Sequence, residues 1–73
     1  MSNLRALAVA TYRLYLLQPG THSVVGYKEF DASTDELAIR IASGFIGEHE
    51  MDLWTGVRKV RRFLPFDQEN GAA

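Results

Sequence analysis

The chain has 73 residues and a mass of 8.2 kDa, which is shorter than the usual domain of about 100–150 residues. A chain of this length hides roughly 60% of its unfolded surface on folding, so it can form one thin core. This excludes a two-domain enzyme and a doubly wound nucleotide-binding sheet. The absence of cysteine excludes disulfides, Cys-ligated zinc and thiol catalysis. A composition of 47% hydrophobic and 23% charged residues is typical of a globular domain.

Charge is distributed unevenly along the chain, although the net charge is only −1. Residues 29–52 contain seven acidic residues and one basic residue, Arg40. Residues 53–66 contain four basic residues and no acidic one. Such an asymmetry affects association with partners and not the fold.

The two ends of the chain are expected to lie outside the domain. Residues 1–10 are predicted to be an N-terminal extension, residues 11–66 a single α+β domain, and residues 67–73 a flexible C-terminal tail. The apolar stretch at residues 7–10 is too short for a signal peptide. No stretch approaches the roughly 18 apolar residues of a membrane helix, so we expect a cytoplasmic protein with no membrane partner.

Two strand-like segments come first in the domain. Residues 11–18 and 24–31 are rich in aromatic and branched side chains. The five-residue loop between them begins with Pro19-Gly20, which is typical of a turn. This pattern predicts an antiparallel hairpin, with a bulge or bend at Gly26.

A helix is predicted to follow, from Thr34 to about Ile46. The sequence Ser-Thr-Asp-Glu at residues 33–36 is typical of a capping box in which Ser33 is the N-cap. Apolar residues follow at helical spacing, on one side centred near Ala38 and Phe45. Gly47 is the expected C-cap.

The second predicted hairpin, residues 51–55 and 57–64, has two possible registers. A two-residue turn at Thr55-Gly56 would form three cross-strand pairs, namely Asp52 with Lys59, Glu50 with Arg61, and Met51 with Val60. That turn needs a positive φ at Thr55, which is unfavourable for a β-branched residue. A turn with Gly56 as the bulge residue avoids this, and it would form two pairs, Leu53 with Val57 and Asp52 with Arg58.

These elements predict an α+β fold in which a four-stranded antiparallel sheet, in the order β-β-α-β-β, carries one helix on one face. Tyr12, Leu14 and Leu16 should face one side of the first strand, and we place the helix there. The other face of the sheet is then left to water or to a partner. The candidates for an interaction surface on it are Tyr15, Leu17, Tyr27 and Trp54.

The last predicted strand carries a basic run that could contact nucleic acid. The candidate residues are Arg58, Lys59, Arg61 and Arg62, with Trp54 available for base stacking. Alternate residues of a strand point to opposite faces, so no single face holds all four charges. Basic residues also protect an exposed strand edge from pairing with other chains, and this explains the run better.

The sequence contains only weak candidates for a metal-binding or catalytic site. Glu48-His49-Glu50 lacks the i, i+4 spacing of a helical metal site, and His22 beside Ser23 does not make a catalytic triad. We therefore predict no catalytic, cofactor-binding or metal-binding residues, no cofactor and no enzymatic activity.

Four short motifs resemble those of a group of short bacterial proteins that have no established activity. They are Tyr-Arg-Leu-Tyr at residues 12–15, Glu-Phe-Asp at 29–31, Thr-Asp-Glu at 34–36 and Leu-Trp-x-Gly-x-Arg at 53–58. The resemblance implies a shared β-β-α-β-β unit and carries over no site residues. A hairpin followed by a capped helix is also similar to the antitoxin half of some toxin–antitoxin pairs, without their Gly-rich second strand and DNA-binding tail.

Three functions follow as hypotheses. The first is a non-enzymatic interaction module that forms a homodimer or binds a protein partner through the uncovered sheet face. The second is a nucleic-acid-binding or regulatory accessory protein that uses the basic strand. The third is a small-ligand sensor with an apolar pocket between helix and sheet.

Overall fold

A computed structural model describes residues 8–66, and these form four strands and one helix. The elements are β1 (Ala10–Leu17), β2 (Val24–Ala32), α1 (Asp35–Ser43), β3 (Glu50–Thr55) and β4 (Arg58–Phe63). All neighbouring strands are antiparallel, in the order β2-β1-β3-β4. The predicted α+β class and the β-β-α-β-β order are confirmed. The predicted extension and tail lie largely outside the described residues, apart from residues 8–10, of which Ala10 already belongs to β1.

The central position of β1 follows from the path of the chain. β1 pairs with β2 on one side and with β3 on the other, so α1 connects two parallel strands that lie on either side of β1. A β-α-β connection places its helix on one face of the sheet. The side chains that β1 directs to that face are Tyr12, Leu14 and Leu16, and they join the core as predicted.

The core lies between α1 and this face of the sheet, which we call the helix face. Its fully or almost fully buried members are Tyr12, Leu14, Ala32, Ala38, Ala42, Met51, Leu53 and Phe63. The two helical members are alanines, and their small side chains allow the helix backbone to lie close to the sheet. Leu37 and Ile41 pack against this core from the flanks of the helix.

The helix begins one residue later than the capping box predicts. Thr34 is the N-cap, and its hydroxyl accepts a hydrogen bond of 3.1 Å from the amide of Leu37. This frame places Asp35 at the first helical position. There its carboxylate accepts a 2.7 Å hydrogen bond from the Tyr12 hydroxyl and two bonds, of 2.9 and 3.1 Å, from the Arg58 guanidinium.

The helix also ends earlier than predicted, at Ser43 with Gly44 as the C-cap. The amides of Gly44, Phe45 and Ile46 bond to carbonyls three residues back, so the chain tightens into successive turns before it reaches Gly47. Because of this change of direction Phe45 is 44% exposed. Its predicted place at the centre of the buried side is therefore wrong, and its ring instead lies 4.9 Å from the Lys28 amine.

Both predicted registers of the second hairpin are wrong. The turn residues are Gly56 and Val57, and the flanking pair is Thr55 with Arg58. Gly56 has φ +60°, the value that the first position of a type II′ turn needs, so Thr55 remains in the strand. A bulge after the Trp54–Lys59 pair then places Arg61 opposite Leu53, Arg62 opposite Asp52 and Phe63 opposite Met51.

The first hairpin matches its prediction closely. Its register shifts by one residue between Leu16 and Leu17, since Leu16 pairs with Gly26 and Leu17 with Val24. The expected irregularity is therefore present beside Gly26, at Val25.

We predict that Ala38→Leu destabilises the fold by about 1–3 kcal/mol, because the fully buried Ala38 leaves no room between helix and sheet. Urea unfolding followed by circular dichroism measures this. Arg40→Leu introduces the same side chain on the exposed side of the helix and should change the free energy of unfolding by about 0.5 kcal/mol or less. Equal effects of the two substitutions would contradict the close approach of α1.

We also predict that the contribution of Asp35 to stability depends on pH. The Arg58 guanidinium, and then the Tyr12 hydroxyl, lower the pKa of Asp35 from 3.8 to about 2, while the same bond from Tyr12 to Asp35 raises the pKa of Tyr12. Because the folded-state pKa is depressed, this stabilisation is present above about pH 4 and is lost as the pH falls through 2.

The wild type should therefore have a higher urea midpoint than Asp35→Asn at pH 6, and the difference should shrink towards pH 2. Glu36→Gln removes an exposed carboxylate from the same helical turn and serves as the control. A difference between wild type and Asp35→Asn that is constant from pH 6 to pH 2 would show that the charge of Asp35 does not stabilise the fold.

Candidate interaction face

The sheet side opposite α1, which we call the open face, groups all four predicted interaction residues. Tyr15 pairs directly with Tyr27 across β1 and β2, and Trp54 pairs with Arg13 across β3 and β1. The ring centroids of Tyr15 and Tyr27 are 6.1 Å apart. Tyr27 is 54% exposed, while Tyr15 and Trp54 are half-buried. Leu17 lies on this side too, but it is buried.

Strand pairing arranges the open face in two complete rows that run across the sheet. The first row, from β2 to β4, contains Glu29, Arg13, Trp54 and Lys59. The second row contains Tyr27, Tyr15, Asp52 and Arg62. A third, incomplete row contains Val24, Leu17 and Glu50 at one end of the face, and Thr11 pairs with Asp31 at the other end. Val24 is 59% exposed.

Two shallow grooves lie on this face, and Trp54 lines both of them. One has a volume of about 350 Å³ and is lined by Tyr15, Leu17, Val24, Asp52, Trp54 and Gly56. The other, of about 280 Å³, is lined by Thr11, Arg13, Tyr15, Trp54 and Gly56. Neither groove lies between helix and sheet, where the small-ligand hypothesis places its pocket.

The acidic residues of β3 were missed as members of this face. Glu50 and Asp52 are only 7% and 9% exposed, and each has basic partners. The Arg62 guanidinium donates two hydrogen bonds to Asp52, of 2.8 and 3.1 Å, and lies 3.6 Å from Glu50. The Lys59 amine lies 3.6 Å from Asp52. The hydrogen bonds from Arg62 lower the pKa of Asp52 against the opposing effect of burial.

The loop between β1 and β2 supplies a further contact at the edge of the face. His22 adopts a left-handed backbone with φ +64°, and its amide donates a 2.8 Å hydrogen bond to the carbonyl of Gln18. Its Nε2 lies 3.1 Å from the Glu50 carboxylate, and the hydroxyl of the neighbouring Ser23 is paired with Thr21. The imidazole is thus directed to Glu50.

The four basic residues of the predicted nucleic-acid surface lie on different sides of the sheet. Lys59 and Arg62 lie on the open face with Asp52. Arg58 binds Asp35 at the start of α1, and the Arg61 guanidinium lies 5.3 Å from the ring of Phe63 in the core. Three of the four charges are therefore paired with a carboxylate, and the four do not form one basic surface.

A second polar contact joins the outer part of the face. The Arg13 guanidinium lies 3.3 Å from Glu29 and 4.9 Å from the centre of the Tyr27 ring. Glu29 and Tyr27 are thus linked through Arg13. Arg13 and Tyr15 are two residues apart in β1, so the sequence alone places both on this side of the sheet. The contact of Arg13 with Glu29 depends on the register of the hairpin.

Other site types are not evident in the described part of the chain. Among residues 8–66, no group of three His, Asp or Glu side chains lies close enough to hold a metal ion. Within the same residues, no helix has the length and apolar character needed to cross a bilayer. Comparisons with family models, curated proteins and solved structures found no match.

We predict that Arg62→Gln raises the pKa of Asp52, because the guanidinium that favours the carboxylate is removed while burial remains. Carboxyl carbon chemical shifts from NMR report this pKa directly. Since the wild-type pKa is depressed, the stabilising effect of the pair is present at neutral pH and is lost as the pH falls through the folded-state pKa. The variant should therefore lose more stability at pH 7 than at pH 2.

Arg61→Gln is the matched control, since it removes the guanidinium next along the same strand but on the helix face. It should leave the titration of Asp52 unchanged. An Asp52 pKa that stays below its usual range in Arg62→Gln would show that another group, such as Lys59, stabilises the ionised carboxylate of Asp52.

Proposed function

We propose that this protein is a non-enzymatic interaction module that associates with a second copy of itself through the open face. The observation that carries the proposal is the grouping of Tyr15, Tyr27, Trp54 and Val24 on a sheet side that α1 does not cover. Aromatic side chains are enriched in protein interfaces because they bury much area with few rotatable bonds. Contiguous exposed apolar surface on a small domain is a common mark of an interaction site.

The small size of the core supports self-association. A chain of 73 residues has limited apolar area to bury, and domains of this size are often stabilised by oligomerisation. No element formed by residues 8–66 covers the open face, and its candidate occupants other than a second copy are water, a different protein and nucleic acid. Water alone would leave Tyr27 and Val24 more than half exposed without compensation.

Nucleic-acid binding is the alternative function, and the charge pairing argues against it. Binding to phosphates requires basic side chains that can release counterions. Arg58, Lys59 and Arg62 each lie within 4 Å of a carboxylate, so a phosphate would compete with an existing partner at each position. The net charge of −1 also differs from the basic character usual in such domains.

We predict a concentration-dependent dimer that Tyr27→Ser weakens, because the substitution removes an exposed ring from the open face. Sedimentation velocity at several concentrations up to about 100 µM covers the range expected for a small interface. The control is Phe45→Ser, since Phe45 is an aromatic residue of similar exposure, 44% against 54%, on the other side of the sheet. It should leave association unchanged.

A wild type that is monomeric throughout this range would contradict the proposal. Salt-sensitive retardation of mixed DNA and RNA, lost in Arg61→Ala combined with Arg62→Ala, would support the alternative instead.

A further inference from the structure

We infer that two copies pack face to face with their strands parallel, related by a two-fold axis that runs along the strands between β1 and β3. This inference rests on the proposed function and adds the arrangement of the dimer and its pairing residues. It follows from the order of residues in the two rows of the open face.

A two-fold axis along the strands reverses the order of strands in the partner sheet. β2 of one copy then lies over β4 of the other, and β1 lies over β3, while each row stays opposite the same row. In the first row Glu29 faces Lys59 of the second copy, and Arg13 faces Trp54. The first is an opposite-charge pair that adds to the contacts of Glu29 with Arg13 and of Lys59 with Asp52 within each copy, and the second is a cation–π pair.

The second row is complementary under the same operation. Tyr27 faces Arg62 of the second copy, which can bind the face of the ring, and the Tyr15 hydroxyl faces the Asp52 carboxylate. Each contact occurs twice because the interface is isologous. No position in either row meets a charge of the same sign.

The other arrangement that keeps the strands of the two sheets aligned, with the axis across the strands, is unfavourable. An axis across the strands keeps β4 over β4 and exchanges the two rows, so Lys59 of each copy faces Arg62 of the other. Two repulsive pairs would form at the interface, and like charges placed opposite each other cost several kcal/mol. The charge pattern therefore selects the axis along the strands.

Burial of the acidic residues in such a dimer leaves no unpaired charge. Asp52 already accepts two hydrogen bonds from Arg62, and the Arg62 guanidinium also lies 3.6 Å from Glu50. A charge that enters an interface with its partner is far less costly than an isolated one. The aromatic rings can therefore be covered without breaking the ion pairs of β3 and β4.

The available area fits a weak dimer. Four strands at about 4.8 Å spacing and six to nine residues in length give a face of roughly 20 by 25 Å. Two such faces, with the relief of their side chains, bury close to the lower limit of about 1,000–1,200 Å² for a specific interface. Interfaces at this limit are typical of weak, transient complexes, so we expect dissociation at the concentrations that sedimentation covers, where charge reversal shifts the constant measurably.

Charge reversal tests this arrangement of the dimer, because each Glu29–Lys59 pair joins residues of different copies. Glu29→Lys alone and Lys59→Glu alone should each raise the dimer dissociation constant by about tenfold or more, since like charges then face each other. An equimolar mixture of the two variants should restore wild-type affinity as a heterodimer. In that mixture the two substituted side chains face each other with opposite charges, and so do the two unsubstituted ones. Sedimentation equilibrium gives the constants, and native mass spectrometry identifies the heterodimer.

The matched control is Lys28→Glu, which reverses the neighbouring charge on the helix face, where Lys28 pairs with Leu14. It should leave the dissociation constant unchanged. The wild type could be a dimer while the single variants also associate normally, or while the mixture of variants stays monomeric. Either result would overturn the proposed arrangement of the dimer and leave self-association intact. A monomeric wild type would overturn both proposals.

A second measurement covers variants that fold poorly. The chain has no cysteine, so Glu29→Cys and Lys59→Cys chains can be mixed and treated with a short bis-maleimide. The expected product is a crosslinked heterodimer, in higher yield than that between Lys28→Cys and Lys59→Cys chains. Equal yields would contradict the placement of β2 over β4.

Discussion

The structure depends on the position of β1 between β2 and β3, beneath a single connecting helix. Because α1 joins the strands on either side of β1, it covers one face of the sheet and leaves the other uncovered. The even-numbered residues of β1 from Tyr12 onwards reach the core, and the odd-numbered ones, including Arg13 and Tyr15, form the centre of the open face. Among residues 8–66 the structure has no second helix that could cover that second face. The same strand therefore serves both the core and the surface that we propose as an interface.

Two clusters of polar side chains, one on each face of the sheet, join neighbouring elements of the fold. On the helix face, Asp35 joins β1, α1 and β4 through Tyr12 and Arg58. On the open face, Asp52 joins β3 to β4 through Arg62 and Lys59. Both clusters use basic residues of β4, so the basic run neutralises acids on both sides of the sheet. This explains why a run that is typical of nucleic-acid binding does not produce a basic surface here.

Local pattern was sufficient to predict the first hairpin and most of the buried side of the helix. Alternation in β1 assigned Tyr12, Leu14 and Leu16 to the core, because side chains of a strand point to opposite faces in turn. The same alternation assigned Tyr15 and Leu17 to the other side. These predictions need only the period of the sequence and hold whatever the neighbouring strands are.

Features that depend on more than the local pattern could not be predicted in the same way. The N-cap is Thr34 and not Ser33, and this places Asp35 where it bonds with Tyr12 and Arg58. That contact forms only when β1 and β4 are both in place in the sheet. The register of the second hairpin depends on Gly56 opening the turn and on a bulge later in β4. Cross-strand charge pairs favoured a different register. That register is not adopted, because the small energies of such pairs do not outweigh the burial of Phe63 in the core. Alternation in β3 places Glu50 and Asp52 on the same side as Trp54 whatever the register, whereas the pairing of Asp52 with Arg62 depends on the bulge.

The self-complementarity of the open face comes from the order of the strands and not from any one residue. The chain places an acid on the outer strand β2, a guanidinium on β1, a ring on β3 and an amine on β4 within one row. Reversal of that order places the acid on the amine and the guanidinium on the ring. A different strand order with the same residues would lose this property, since Arg13 would then face another side chain. The β-α-β connection, which places α1 on only one face of the sheet, also fixes the row order on which the proposed dimer depends.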